Sequence, residues 1–196
     1  MEKSHGNDSA LLGAALGCYY CWASGGWPWL VPPLILIASY TLFSPRHQRN
    51  TERVHDNQAV IAVASAGLAW LFLAKTFERP DFYFPFTLTF GAHLAIIGII
   101  RWKRASPYLP GIIFVTASSL ISWLLMFVPY LLIEKLEGRL VGYAVIALGG
   151  IVGAATVFYF SQPGMHDCPN NFPRWVRQAS LAAFASLAGV VLIYLS

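Results

Sequence analysis

VIALGGIVGAATVF, Val145–Phe158, contains no charged residue and no polar alternation. It lies within a longer apolar stretch, Leu140–Phe160, whose reading decides the fold. A transmembrane barrel strand alternates apolar and polar residues over about ten positions, and this run does not alternate. ALLGAALG, at Ala10–Gly17, is continuous in the same way. Backbone groups in lipid must be satisfied within their own segment or by a closed sheet. Continuous apolar runs therefore predict membrane helices.

Composition agrees. Of 196 residues, 57% are apolar and 11% charged, and the mean hydropathy is +0.56. Soluble domains carry roughly 25% charged residues. A helix needs about 20 apolar residues to cross the hydrocarbon core. The net charge of +4 sits in short loops rather than in a basic domain or an extended basic helix. The charge pattern therefore carries no nucleic-acid footprint.

Seven spans are expected: Ser9–Ser24, Pro28–Phe43, Asn57–Ala74, Tyr83–Ile100, Leu109–Ile133, Leu140–Phe160 and Val176–Leu195. Together they form an all-α polytopic bundle, a single integral membrane domain over 1–196. Gly25, Gly26 and Pro28 interrupt the first apolar region. The two pieces read as a tight hairpin, a re-entrant pair or one long bent span. Trp22, Trp27 and Trp29 mark its tip, where aromatics favour the interface. Pro129 is expected to kink the fifth span. Gly13/Gly17, Gly138/Gly142 and Gly149/Gly153 form GxxxG pairs that would permit close helix approach. The leader MEKSHGND is not basic enough for a signal peptide, so the first apolar segment is expected to be retained.

Lys and Arg set the orientation. With seven spans, Lys3, Arg46, Arg49, Arg53, Arg101, Lys103, Arg104, Arg174 and Arg177 fall on one side. Lys75, Arg79, Lys135 and Arg139 fall on the other. The first group belongs in the cytosol, with the N-terminus inside and Ser196 outside. A bacterial inner membrane is the expected location.

The polar chemistry is concentrated in SPRHQRNTERVHDN, Ser44–Asn57. Arg46, Arg49 and Arg53 are candidates to bind phosphate, since guanidinium grips phosphate oxygens bidentately. Asp56 and Asp8 are candidates for Mg²⁺, which favours one or two carboxylates together with substrate phosphates. His55 is the candidate acid or base, and His166 joins the same predicted face. Topology and helix capping also account for several of these residues: cytosolic arginines bind anionic lipid nonspecifically, and Asp56–Asn57 can cap the third helix. His93 stands apart in FTLTFGAHLAIIGII, in the middle of a span, where an ionisable residue faces a partner or a cavity. Glu134, Lys135, Glu137 and Arg139 read as a solvated connector. Cys18 and Cys21 read as small buried hydrophobes rather than a redox or zinc pair. Cys168 has no evident partner.

EKSHGNDSALLGAALG, Glu2–Gly17, resembles a segment of the membrane CTP-dependent lipid kinases and cytidylyltransferases. These are the phytol kinase, dolichol kinase and CDP-diacylglycerol synthase-like enzymes. The resemblance rests on Lys3, Ser4, Gly6 and Ser9 at the entrance to a span. It implies lipid metabolism, with Mg²⁺ and a nucleotide as cofactors.

The expected function is an enzyme acting on a phosphate-bearing lipid or isoprenoid at the cytosolic face. Membrane lipids, and a homo- or hetero-oligomer, are its expected partners. The alternatives are a transporter or channel with His93 in its path, and a non-catalytic assembly subunit.

Overall fold

The computed structural model describes residues 5–42, 57–106, 108–134, 138–161 and 172–195. Among these the architecture is all-helical, with no strand. The helices are α1 (His5–Gly25), α2 (Trp27–Leu42), α3 (Asn57–Thr76), α4 (Tyr83–Ala105), α5 (Gly111–Ile133), α6 (Gly138–Ser161) and α7 (Phe172–Leu195). A 3₁₀ turn, Pro80–Phe82, leads into α4. Among the described residues, four segments are long and apolar enough to cross a membrane: Pro80–Lys103, Gly111–Ile133, Val141–Ser161 and Trp175–Leu195. The chain is therefore an integral membrane protein with at least these four candidate spans. α2 has 16 residues, or about 24 Å at 1.5 Å per residue, which is short of the roughly 30 Å hydrocarbon core.

The first apolar region is a hairpin. α1 and α2 pack against each other, which one bent helix would not do. Gly26 makes the turn at φ +82, a conformation that glycine adopts without a Cβ clash. Its N–H donates to the Trp22 carbonyl at 2.8 Å. The tryptophans at this tip divide: Trp22 and Trp27 are 53% and 62% exposed, but Trp29 is 9% exposed. Trp29 is thus a core residue, with its ring 5.1 Å from Tyr83 and 4.9 Å from Phe86.

Pro32 and Pro33 lie inside α2. Proline has no N–H, so Pro32 leaves the carbonyl four residues earlier without its helical donor. That carbonyl belongs to Pro28, and the Tyr83 hydroxyl donates to it at 2.9 Å. α4 thereby repairs a defect in α2. The end of α3 is closed by the Arg79 N–H donating to the Ala74 carbonyl at 2.9 Å. Glu78 supplies the left-handed residue there, at φ +53, a position usually held by glycine.

α4 is the central helix and packs against α2, α3, α5, α6 and α7. The tight glycine contacts are not those of the GxxxG pairs. A Cβ on Gly17, Gly142, Gly149 or Gly153 would meet nothing within 4 Å. Close approach occurs instead at Gly67, where a Cβ would lie 2.5 Å from the Phe90 ring, and at Gly98, 2.9 Å from Ser118 Oγ. Gly91 and Gly189 are similarly filled by Ile151 and Leu88. At Gly67, Gly91 and Gly189 a large side chain is seated over a single glycine, and at Gly98 a serine; none of these glycines belongs to a GxxxG pair.

Candidate functional site

Side-chain contacts fix which helix ends share a face of the bundle. At one end, Tyr83 reaches Pro28 and packs 5.5 Å from Tyr130, while Phe84 lies 5.4 Å from Tyr143. Arg79 and Asp81 meet Tyr194 there. This end gathers the starts of α2, α4 and α6 and the ends of α5 and α7. The other end gathers the ends of α2, α4 and α6 with the start of α7. There Arg101 donates to the Ser39 carbonyl at 3.2 Å. Arg177 donates to the Ser161 carbonyl at 2.6 Å. Lys103 Nζ lies 5.6 Å from the Tyr159 ring centroid.

The second end is the basic one. Arg101 and Arg177 each donate to a carbonyl in the last turn of a neighbouring helix. Such carbonyls lack intrahelical donors and carry the negative end of the helix dipole. Two of the basic residues counted for orientation therefore also cap α2 and α6. Chain connectivity places the link from Leu42 to Asn57 at this end, because α2 finishes here and α3 starts here. The link from Ser161 to Phe172 attaches here as well.

Arg46, Arg49, Arg53, His55, Asp56 and His166 lie outside the described residues. Asp8 falls in the first turn of α1, and its side chain lies outside what is described. Lys135 and Glu137 lie outside the described residues too, as does Cys168. Cys21 is buried in the core and Cys18 half-buried, both as free thiols. Among the described residues, no group of three or more His, Cys, Asp or Glu side chains could hold a metal.

His93 is the one sequence candidate whose surroundings are defined. It lies near the middle of α4 and is fully buried. Neither Nδ1 nor Nε2 has a hydrogen-bond partner. By helical register it shares a face with Phe86 and Phe90. Those residues pack against Trp29 of α2 and Gly67 of α3. The nearby threonines do not serve it: Thr87 Oγ1 donates to the Tyr83 carbonyl at 2.9 Å and Thr89 Oγ1 to the Pro85 carbonyl at 2.8 Å. Each bonds back along its own helix.

The structure adds polar residues that the sequence pattern did not isolate. Ser118 and Ser119 on α5 and Gln178 on α7 are buried, and their side-chain polar atoms have no partner. Ser122, one turn along α5, donates to the Gly91 carbonyl of α4. Serine is common in apolar helices, and Gln178 falls close to the predicted start of the last span. Spacing alone gave no reason to group them.

At the opposite end, Arg79 and Asp81 form a bidentate pair, with Nε–Oδ1 at 2.9 Å and Nη2–Oδ2 at 2.7 Å. The Tyr194 hydroxyl closes the triad, donating to Asp81 Oδ2 at 3.0 Å. The hydrogen bonds that Arg79 donates to Asp81 raise the Arg79 pKa above its ordinary value. Both side chains are about half exposed, so the pair contributes little to stability. Its effect is to tie the end of α7 to the turn before α4. Comparison with protein-family models, curated proteins and solved structures gives no match for this chain.

Proposed function

We propose that this chain is a membrane-embedded protein that binds and acts on a phosphate-bearing lipid at its arginine-rich end, with all seven helices crossing the bilayer. The single observation that carries the reading is the gathering of basic helix ends. Arg101, Lys103 and Arg177 share one end of the bundle. The connections bearing Arg46, Arg49, Arg53, His55, Asp56 and His166 attach to that end. Two of the basic side chains already cap helices, so lipid phosphate falls to the arginines of the 43–56 connection. In this reading Asp56, with Asp8, holds Mg²⁺ beside a nucleotide, and His55 moves the proton. The arginine-rich end faces the cytosol of a bacterial inner membrane.

Native mass spectrometry of the purified protein tests this directly. Phosphatidylglycerol adducts should survive on the wild type in preference to phosphatidylcholine. Arg49→Gln and Arg53→Gln should each weaken retention roughly fivefold, from about 1 kcal/mol per basic residue near the surface. Equal retention of both lipids by the wild type would sink the reading.

A second reading has its own observation. His93 is a buried, unpartnered histidine within a candidate span, as expected of a residue on a solute or proton path. That reading makes the protein a transporter or channel.

A further inference from the structure

The interior of the bundle is divided along its axis. Toward the Pro80 end it is aromatic: Trp29, Tyr83, Phe84, Phe86, Phe127 and Tyr130 form a continuous set of ring contacts. Toward the arginine-rich end the buried side chains include His93, Ser118, Ser119 and Gln178, all with unpartnered polar atoms.

Ser118, Ser119 and Gln178 occupy one slab; His93 lies near that level but on the face of α4 turned to α2 and α3. Ser118 Oγ lies against Gly98 of α4, and Ser119 is its neighbour on α5. Ala182 of α7 clusters with Ala92 of α4. α7 runs antiparallel to α4, so Gln178 lies one turn beyond Ala92, toward Arg101. On α4 the slab runs from about Ile96 to Gly98, roughly 3 Å at 1.5 Å per residue. From Gly98 to the end of α4 at Ala105 is about 10 Å.

Nearly all buried polar groups in folded proteins have a partner. Leaving one unpaired costs about 1–3 kcal/mol. Three such residues at one level, on two helices that both pack against α4 and α6, are not explained by local packing. We propose that this slab is the floor of a polar inlet that opens from the arginine-rich end, admits water and the oxygen-bearing headgroup of a lipid, and stops at the aromatic layer. The described structure is then the closed form, in which α4, α5, α6 and α7 seal the slab. The identity of the headgroup as a lipid phosphate or its ester rests on the function proposed above; the existence of the inlet does not.

Cysteine accessibility in proteoliposomes tests the inlet without any ligand. Cys18, Cys21 and Cys168 are first replaced by alanine. Ser118→Cys, Ser119→Cys and Gln178→Cys are then compared with Met126→Cys, a buried residue of α5 beside the aromatic layer. A small cationic methanethiosulfonate should modify the first three at least about tenfold faster than Met126→Cys, because opening free energies differ between regions of one structure. Wild-type-like melting of each variant establishes that folded protein is being read. Rates at all three positions no faster than at Met126→Cys would overturn the inlet. Fast modification with no preference for anionic lipid in native mass spectrometry would leave the inlet standing and remove its lipid ligand.

Discussion

His93 shows what one residue can and cannot report. Its place in an apolar run already marked it as costly in a bilayer. The structure gives the cost a form: full burial, with both ring nitrogens unpaired. Leucine is close in size and has no polar atoms. His93→Leu should therefore raise thermal stability in detergent by about 1–3 kcal/mol, the usual cost of an unsatisfied buried group. The same variant should lose function if the residue serves a path or a substrate. A drop in melting temperature would mean that His93 is held by a favourable contact after all. Cys21 is the opposite case. Its CxxC spacing invites a chemical reading, yet it packs among Trp29, Leu36 and other core residues as a small hydrophobe.

At the level of elements, the helices follow the apolar runs closely, and their ends follow Gly, Pro and charge. α2 illustrates how a local defect becomes a tertiary contact. Pro32 deprives the Pro28 carbonyl of its donor, and Tyr83 supplies one from α4. Tyr83→Phe should destabilise the protein by about 1–2 kcal/mol, measured by thermal unfolding. In a Pro32→Ala background the helix can supply its own donor, so the same change should cost distinctly less. An equal cost in both backgrounds would show that the hydroxyl matters for another reason. The glycine motifs teach the converse lesson. GxxxG spacing was present three times, and at Gly17, Gly142, Gly149 and Gly153 it faces open space. The glycines that matter, such as Gly67 and Gly189, have no motif because their partners are large side chains on other helices.

For the whole molecule, the alternation of helix directions gives the bundle two chemically distinct ends. One carries the Arg79–Asp81–Tyr194 triad; the other carries Arg101, Lys103 and Arg177. In the function proposed above, the second end faces the cytosol, as the positive-inside rule leads one to expect. With seven crossings, a C-terminal alkaline phosphatase fusion should be active outside, and an N-terminal fluorescent protein should stay protected inside the cell. Both termini on one side would show that α1 and α2 do not each cross. The short α2 makes that hairpin the place where the count is decided. A crossing by α2 requires local thinning or tilt of its neighbours to match about 24 Å of helix to the bilayer.

The sequence by itself determined the helical membrane class, the positions of the seven helices and the clustering of polar residues in the 43–56 connection. Those features depend on local hydrophobicity and on the residues that break helices, which neighbours in the chain set. Tertiary structure alone decided that α1 and α2 fold back on each other, that Trp29 is core while Trp22 and Trp27 are not, and that two arginines cap neighbouring helices. It alone also placed Ser118, Ser119 and Gln178 at one level of the bundle. Each of these depends on which side chain of one helix meets which backbone of another, and in a bundle that lipid surrounds, packing and pairing between helices set those meetings rather than apolarity.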